Sequence, residues 1–276
     1  MLQTFEWTPG GAGRIEIDGC GLEYRCHGPR PGEAPTVVML HEGLGSALLW
    51  RDFPARLAAA TGWGVLAYSR AGHGQSDLVD LPRPIDFMTR EAEQVVPRLL
   101  DAIGFQSGVL LGHSDGATIA AIYAGSIEDF RVRGLILMAP HFFTEEMGLT
   151  EIARARDAYA NDGLRDRMAK HHSDPDNTFR GWCDTWLDPE FKNWNVAEVI
   201  DYLRVPVLAI QGREDQYGTL AQIEEIENRS YAPVDVAILE NCRHAPHLDQ
   251  PERVLEVVTD YLERLRRIES EGFPEA

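Results

Sequence analysis

Short β-rich runs that alternate with longer stretches of helical periodicity constrain this chain more tightly than any other feature of its sequence. The runs are Leu22–Cys26, Thr36–Leu40, Gly64–Tyr68, Gly108–Leu111, Gly134–Met138, Val207–Ile210 and Val236–Leu239. Most are nearly continuous in Val, Leu and Ile, the pattern of strands buried on both faces. In Asp86–Ile103 the apolar residues Met88, Ala92, Val95, Val96, Leu99, Leu100 and Ile103 recur at helical spacing, and Pro97 predicts a kink because it lacks an N–H and crowds the preceding turn. Pro251 is placed to open a closing helix whose apolar stripe runs Val254, Val257, Val258, Tyr261, Leu262, Leu265, Ile268. Such alternation predicts an α/β fold, a mostly parallel sheet with helices on both faces and any active site at the carboxyl ends of the strands.

The alternation lapses between 140 and 204, where aromatic residues are frequent and no strand is convincing. That stretch predicts a helical cap over the strand ends, inserted into a core made of residues 1–139 and 205–276. A length of 276 residues suits one catalytic unit with an insertion and is short for two enzyme domains.

Other classes of function are disfavoured. The net charge of −18 repels nucleic acid and anionic membrane surfaces, so the expected partner is a small-molecule substrate, with no nucleic acid and no membrane; a homodimer is compatible with this reading. Met1–Gly10 has neither a basic region nor an apolar core of a signal sequence, and no apolar run reaches membrane-spanning length, so a cytoplasmic location is expected. Cys20, Cys26, Cys183 and Cys242 form neither a C-x-x-C pair nor a zinc-type cluster and are expected as free thiols. No motif implies a metal or an organic cofactor.

The chemistry centres on Gly108–Ala120, an apolar strand running into Gly112-His113-Ser114-Asp115-Gly116 and then a helix of small residues. G-x-S-x-G alone arises by chance in roughly one chain of this length in ten. Its setting makes it specific: a strained strand-to-helix turn exposes the serine hydroxyl, the flanking glycines avoid backbone collision, and the helix N-terminus directs N–H groups at an oxyanion formed nearby. A serine hydroxyl needs an adjacent imidazole, itself oriented by an acceptor. Downstream, Glu214 and Asp215 follow one strand, and His244 and His247 follow the next, so serine, acid and base stand in chain order at successive strand ends.

These segments resemble the α/β-hydrolase superfamily, in particular its lipase- and esterase-like serine hydrolases with a cap after the sixth strand, from the His41 loop to the final helix. The resemblance implies an eight-stranded, mostly parallel sheet. The loop Asn241-Cys-Arg-His-Ala-Pro-His-Leu-Asp-Gln-Pro-Glu252 matches a family pattern that puts the base at His244 rather than His247. The family also places the acid three residues after the glycine, which favours Asp215 over Glu214. His41-Glu42-Gly43-Leu44-Gly45-Ser46 is similar to the family's oxyanion loop and implies a hole made by the N–H of Gly43 or Leu44 with that of Asp115. Tyr68–Asp77 is similar to a family loop whose glycines, with Ser76, are structural.

Two positions depart from the pattern. Glu42 stands where the family has glycine, and a carboxylate beside a developing oxyanion opposes catalysis unless it turns aside to a cation, with Arg70 the first candidate. Ser69 replaces a common aspartate and has no mechanistic reading.

Haloalkane dehalogenases and epoxide hydrolases of this fold carry aspartate at the position of Ser114, which leaves acyl chemistry. The expected function is hydrolysis of small apolar or aryl carboxylic esters through an acyl-enzyme. Thioesterase, C–C bond hydrolase and iminopeptidase activities use the same triad, and a ligand receptor on a hydrolase scaffold is the alternative of another class. Expected substrate contacts are His41, Glu42, Phe142, Trp182 and Trp186. The other cap rings, Phe143, Tyr159, Phe179, Phe191 and Trp194, are read chiefly as packing for the cap's own core. Lys170, His171, His172 and Lys192 offer an anion site but read better as a solvated face.

Overall fold

A computed structural model describes residues 5–271; residues 1–4 and 272–276, at the two ends of the expected core, lie outside the described residues. Eight strands form one sheet: β1 (Ala12–Ile17), β2 (Cys20–His27), β3 (Thr36–Leu40), β4 (Gly64–Tyr68), β5 (Gly108–His113), β6 (Val132–Met138), β7 (Val207–Gly212) and β8 (Val234–Leu239). Their order is β1-β2-β4-β3-β5-β6-β7-β8; the first two pairings are antiparallel and all later ones parallel. This is the α/β-hydrolase fold, as expected.

Strand β1 has no counterpart among the apolar runs. Only Ile15 and Ile17 point inward while Arg14 and Glu16 alternate outward, so an edge strand with one wet face lacks the continuous apolar signal. Its turn into β2, Asp18-Gly19 with both φ positive (51° and 81°), carries the Asp-Gly hairpin signature.

Among the described residues ten α-helices and one π-helical turn follow from periodicity and punctuation. These are α1 (Phe53–Thr61), α2 (Phe87–Arg90), a π-helical turn (Glu91–Val95), α3 (Val96–Ala102), α4 (Asp115–Ser126), α5 (Glu146–Asn161), α6 (Leu164–Met168), α7 (Pro175–Trp186), α8 (Ala221–Arg229), α9 (Pro246–Asp249) and α10 (Pro251–Glu271). The kink expected at Pro97 is realised as that π-helical turn, a widening that relieves the clash between the ring and the preceding turn.

Alternate residues of the central strands feed two cores. Leu40, Leu110 and Leu137 face the side that carries α3 and α4, whereas Met39, Leu111, Ile136 and Met138 pack with Leu57 of α1 and Val254, Val258 and Leu262 of α10. Strands covered on both faces must be apolar at every position, hence the unbroken runs.

The connection from β6 to β7 carries α5, α6, α7 and two 3₁₀ turns, Pro189–Asn193 and Ala197–Tyr202. Its rings pack largely on one another: Tyr159 stacks on Phe179 at 3.9 Å, and Phe191 lies 4.6 Å from Trp186 and 5.1 Å from Trp194. Ala197 and Ile200 join the core beside α4. Among the described residues no helix is long and apolar enough to cross a membrane.

Helix α4 crosses the sheet at backbone contact. A Cβ on Gly116 would overlap the Leu40 carbonyl, and one on Gly112 would overlap the Gly116 carbonyl and Ala117 backbone. Gly116→Ala is therefore expected to lower stability by about 3 kcal/mol or more. Gly181→Ala, in α7, meets side chains alone, Arg83 at 3.3 Å and Leu81 at 3.5 Å, and should leave the urea midpoint unchanged or raised. Equal midpoints for the two variants would overturn the close approach at Gly116.

Candidate active site

The turn from β5 into α4 places Ser114 at φ 54° and ψ −121°, a strained conformation for a residue with a Cβ. Its N–H donates to Met138 O at 2.8 Å, which ties the turn to β6. The two flanking glycines let α4 start this close to the sheet.

Three loops converge on this serine. The Ser114 hydroxyl donates to His244 Nε2 at 2.9 Å, and His244 Nδ1 donates to Asp215, 2.9 Å from Oδ1 and 2.8 Å from Oδ2. The Asp215 carboxylate also accepts from the Tyr217 N–H at 2.8 Å and the Gln211 amide at 2.9 Å. Burial pushes its pKa up, but the His244 ring and the Tyr217 N–H outweigh burial and hold it below the ordinary carboxylate value. The His244 ring is flanked by Tyr217 at 4.7 Å, His113 at 5.2 Å and His141 at 5.5 Å, which limits its rotation. Glu214 instead accepts the Cys242 N–H at 2.9 Å, and His247 is buried with its ring 4.7 Å from Trp50. Burial, with the neighbouring His113, lowers the His247 pKa to about 3.

The triad opens on a cavity of about 100 Å³. Gly43, Leu44, Ser114 and Asp115 form one side, with Trp182 and Trp186 of α7 and Ile152 of α5 above and His141, Tyr217 and His244 beside them. The N–H groups of Gly43 and Leu44 have no protein partner among the described residues, as an oxyanion site requires.

Of the expected substrate contacts, Glu42, Trp182 and Trp186 line the cavity, whereas His41 and Phe142 do not. The His41 ring is fully buried, accepting the Arg70 N–H at 3.0 Å and donating to Glu42 O at 2.7 Å. Phe142 is also fully buried, with its N–H donating to Gln222 Oε1 at 2.8 Å. His141, Tyr217, Gly148 and Ile152 line the cavity without having been singled out. Position just beyond a strand end marks His141 and Tyr217; nothing in the sequence marks Gly148 or Ile152.

Glu42 turns aside as expected, but not to Arg70. Its carboxylate folds back over Gly45, where a Cβ would overlap it, and reaches 3.4 Å from His113 Nδ1. Burial works against its charge, yet His113, with His41 and His247 beyond, holds the Glu42 pKa well below the usual carboxylate range. Burial likewise opposes the His113 imidazolium, and Glu42 overcomes it, so the His113 pKa is raised. The other His113 nitrogen donates to His244 O at 2.7 Å, linking this pair to the loop that carries His244. Arg70 instead donates to Glu42 O at 2.9 Å and lies 3.8 Å from the Asp115 carboxylate, because its guanidinium is held behind the loop. Burial raises the Asp115 pKa against the pull of Arg70 and Arg83.

Ser69 is a structural pin, donating to Glu23 at 2.7 Å and accepting the Ala47 N–H at 2.8 Å. Lys170 and Lys192 are exposed, but His172 is buried rather than part of a solvated face. It accepts the Gly74 N–H at 2.9 Å and donates to Leu44 O at 3.1 Å.

Comparison with known proteins places this geometry among relatives. A family model described as the alpha/beta hydrolase family matches residues 37–257. A proline iminopeptidase of Saccharolobus solfataricus is 23% identical over 92% of each chain. A bifunctional esterase/perhydrolase of Acinetobacter calcoaceticus is 24% identical over 72% of this chain and 80% of its own length. The solved enol-lactonase of Burkholderia xenovorans LB400 superposes with a TM-score of 0.73 and 22% identity, covering 91% of this chain and 100% of that one.

Two outcomes follow from the electrostatics. Glu42→Gln removes the counter-charge of His113. The pair stabilises the fold above the ordinary Glu value of 4.5 and below the ordinary His value of 6.5, and is lost as pH rises through the raised His113 pKa. Stability of the variant, measured by urea unfolding, should fall furthest behind between those values and catch up at higher pH; a constant gap would remove the pair's role. Activity unchanged at every pH would confine Glu42 to stability. Independently, His41, His73, His141, His172 and His247 are held neutral by burial, and unfolding lets each take a proton. Wild-type stability should therefore rise with pH up to about 6.5, each ring adding at most about 1.4 kcal/mol per pH unit.

Proposed function

Because the chain belongs to the alpha/beta hydrolase family, we propose that it is a serine hydrolase of small neutral carboxylic esters, working through an acyl-enzyme. The observation that carries this reading is the unbroken hydrogen-bond path from Ser114 through His244 to Asp215 at the edge of the cavity.

Ser114 Oγ attacks the ester carbonyl carbon while its proton passes to His244 Nε2, and Asp215 steadies the resulting imidazolium. The carbonyl oxygen gains negative charge and accepts hydrogen bonds from the N–H of Asp115 and from Gly43 or Leu44. Collapse breaks the C–O bond, and the leaving alcohol takes the proton from His244. Water then attacks the acyl-enzyme, its proton going to His244 and back to Ser114 as the acid departs.

Cavity size and charge support a small neutral substrate. A space of about 100 Å³ is smaller than the roughly 150 Å³ cavity that accommodates benzene. The charged groups of its wall are already paired, Glu42 with His113 and Asp115 with Arg70, and no Lys or Arg lines it. Residues 140–204 act in this reading as a cap, lowering Trp182 and Trp186 over the serine. The relative named as an esterase/perhydrolase favours ester substrates. The near full-length relative named as a proline iminopeptidase keeps a second reading, cleavage of an N-terminal proline amide by the same steps.

Acetate, butyrate and octanoate esters should be hydrolysed with kcat/KM falling at least about tenfold beyond butyrate, and Ser114→Ala should lose about a thousandfold or more. A fluorophosphonate probe should label the wild type and not that variant. Failure of the wild type to label would sink the reading; faster cleavage of prolyl peptides than of every ester would replace it with the second.

A further inference from the structure

Three consecutive carbonyls of the loop after β3 are each held by a different histidine. His41 Nδ1 lies 2.7 Å from Glu42 O, His73 Nε2 lies 3.0 Å from Gly43 O, and His172 Nε2 lies 3.1 Å from Leu44 O. The rings come from three separate segments, the loops after β3 and β4 and the stretch between α6 and α7, and all three are buried. A peptide unit is planar and trans, so fixing the Glu42 carbonyl also fixes the Gly43 N–H on the opposite side, and fixing the Gly43 carbonyl does the same for the Leu44 N–H. Those two N–H groups are the ones left unpartnered at the cavity.

We propose that His41, His73 and His172 are positioning residues, a clamp of neutral imidazoles that aims the Gly43 and Leu44 N–H groups at the oxyanion and couples the α6–α7 segment to it. The proposal rests on the serine-hydrolase reading for its effect on rate, but not for its effect on the rings. Neutrality is built into the geometry of His41 and His172. His41 Nε2 accepts the Arg70 N–H at 3.0 Å and His172 Nδ1 accepts the Gly74 N–H at 2.9 Å, so a proton on either nitrogen would set donor against donor. His73 has carbonyl oxygens 3.0 Å from each nitrogen, Ala71 O and Gly43 O, a pair of acceptors that does not choose between its nitrogens, and the clamp requires its proton on Nε2, toward Gly43. Burial disfavours the charged form of all three. Arg70 and His172 oppose it at His41 while Glu42 favours it; His41, Arg70, Arg83 and His172 oppose it at His73; and His171 opposes it at His172 while Glu42 and Glu23 favour it.

His172 is the informative ring to change, because it belongs to the segment over the cavity, is not part of the triad and does not itself line the cavity, meeting the wall only through the Leu44 carbonyl. His172→Leu removes both hydrogen bonds, whereas His172→Gln can keep a donor and an acceptor. With a short ester, His172→Leu should lower kcat at least tenfold with KM within about threefold. It should weaken a trifluoromethyl ketone, whose Ser114 adduct fills the oxyanion site, by a similar factor, and His172→Gln should recover most of both. A kcat within twofold of wild type, or equal losses in the two variants, would make the ring mere packing. Long-range ¹H–¹⁵N spectra of the unliganded wild type supply a second test without substrate. They should show His41 protonated on Nδ1 and His73 and His172 on Nε2, all neutral at pH 5.5. Rings that are charged there, or carry the opposite tautomers, overturn the clamp whether or not the protein hydrolyses esters; an inactive wild type with these tautomers overturns the ester reading alone.

Discussion

The backbone contact between α4 and the strands beneath it is the constraint on which the rest of the structure depends. Gly112 and Gly116 lie where no Cβ fits, so the helix begins against β3 and β5 instead of a side-chain width above them. Ser114 then has no room for ordinary dihedrals and adopts φ 54°. The same approach brings the start of α4 beside the loop leaving β3, so that N–H groups from two distant stretches face one point. The strained Ser114 turn, the placement of the helix N-terminus and the N–H groups turned toward it from the loop after β3 are consequences of one close packing.

A second layer of order is electrostatic. Seven of the nine histidines, His41, His73, His113, His141, His172, His244 and His247, cluster in and behind the cavity, and for all but His244 burial works against the charged ring. Two have a carboxylate against the ring: His244 faces Asp215 and His113 faces Glu42. Only His244 also reaches the serine. His41 and His172 each accept a backbone N–H on one nitrogen and donate to a carbonyl from the other, which a ring protonated on both nitrogens could not do, while His113 donates its Nε2 proton to the carbonyl of His244.

Much of this was legible in the sequence because strand ends carry the chemistry and unbroken apolar runs mark strands. Ser114, Asp215 and His244 could be located from their distance past β5, β7 and β8, and the resemblance chose between neighbours such as Asp215 and Glu214. What escaped depends on direction rather than position. Glu42 could be recognised as a carboxylate needing a partner, but the space over Gly45, not any local pattern, sends it to His113 instead of Arg70. His41 and Phe142 stand beside the cavity in sequence and behind it in space. His172, read as a solvated residue, is buried because Gly74 and Leu44 offer its two nitrogens partners about 100 residues or more away along the chain. Strand β1, wet on one face, lacked the signal that revealed the others.

The segment between β6 and β7 bears on the loop after β3 at two places. Trp182 packs so closely on Gly43 that a Cβ there would overlap the indole, and His172 holds the Leu44 carbonyl. Of the eight Phe, Tyr and Trp rings from Phe142 to Trp194, only Trp182 and Trp186 line the cavity, while the others pack within the segment or into the core beneath it. A side chain that lines the cavity thus leans on the backbone whose N–H groups face it. The shape of the cavity and the direction of those N–H groups are mechanically joined, and a change in the packing of α7 has no means of altering the first while leaving the second untouched.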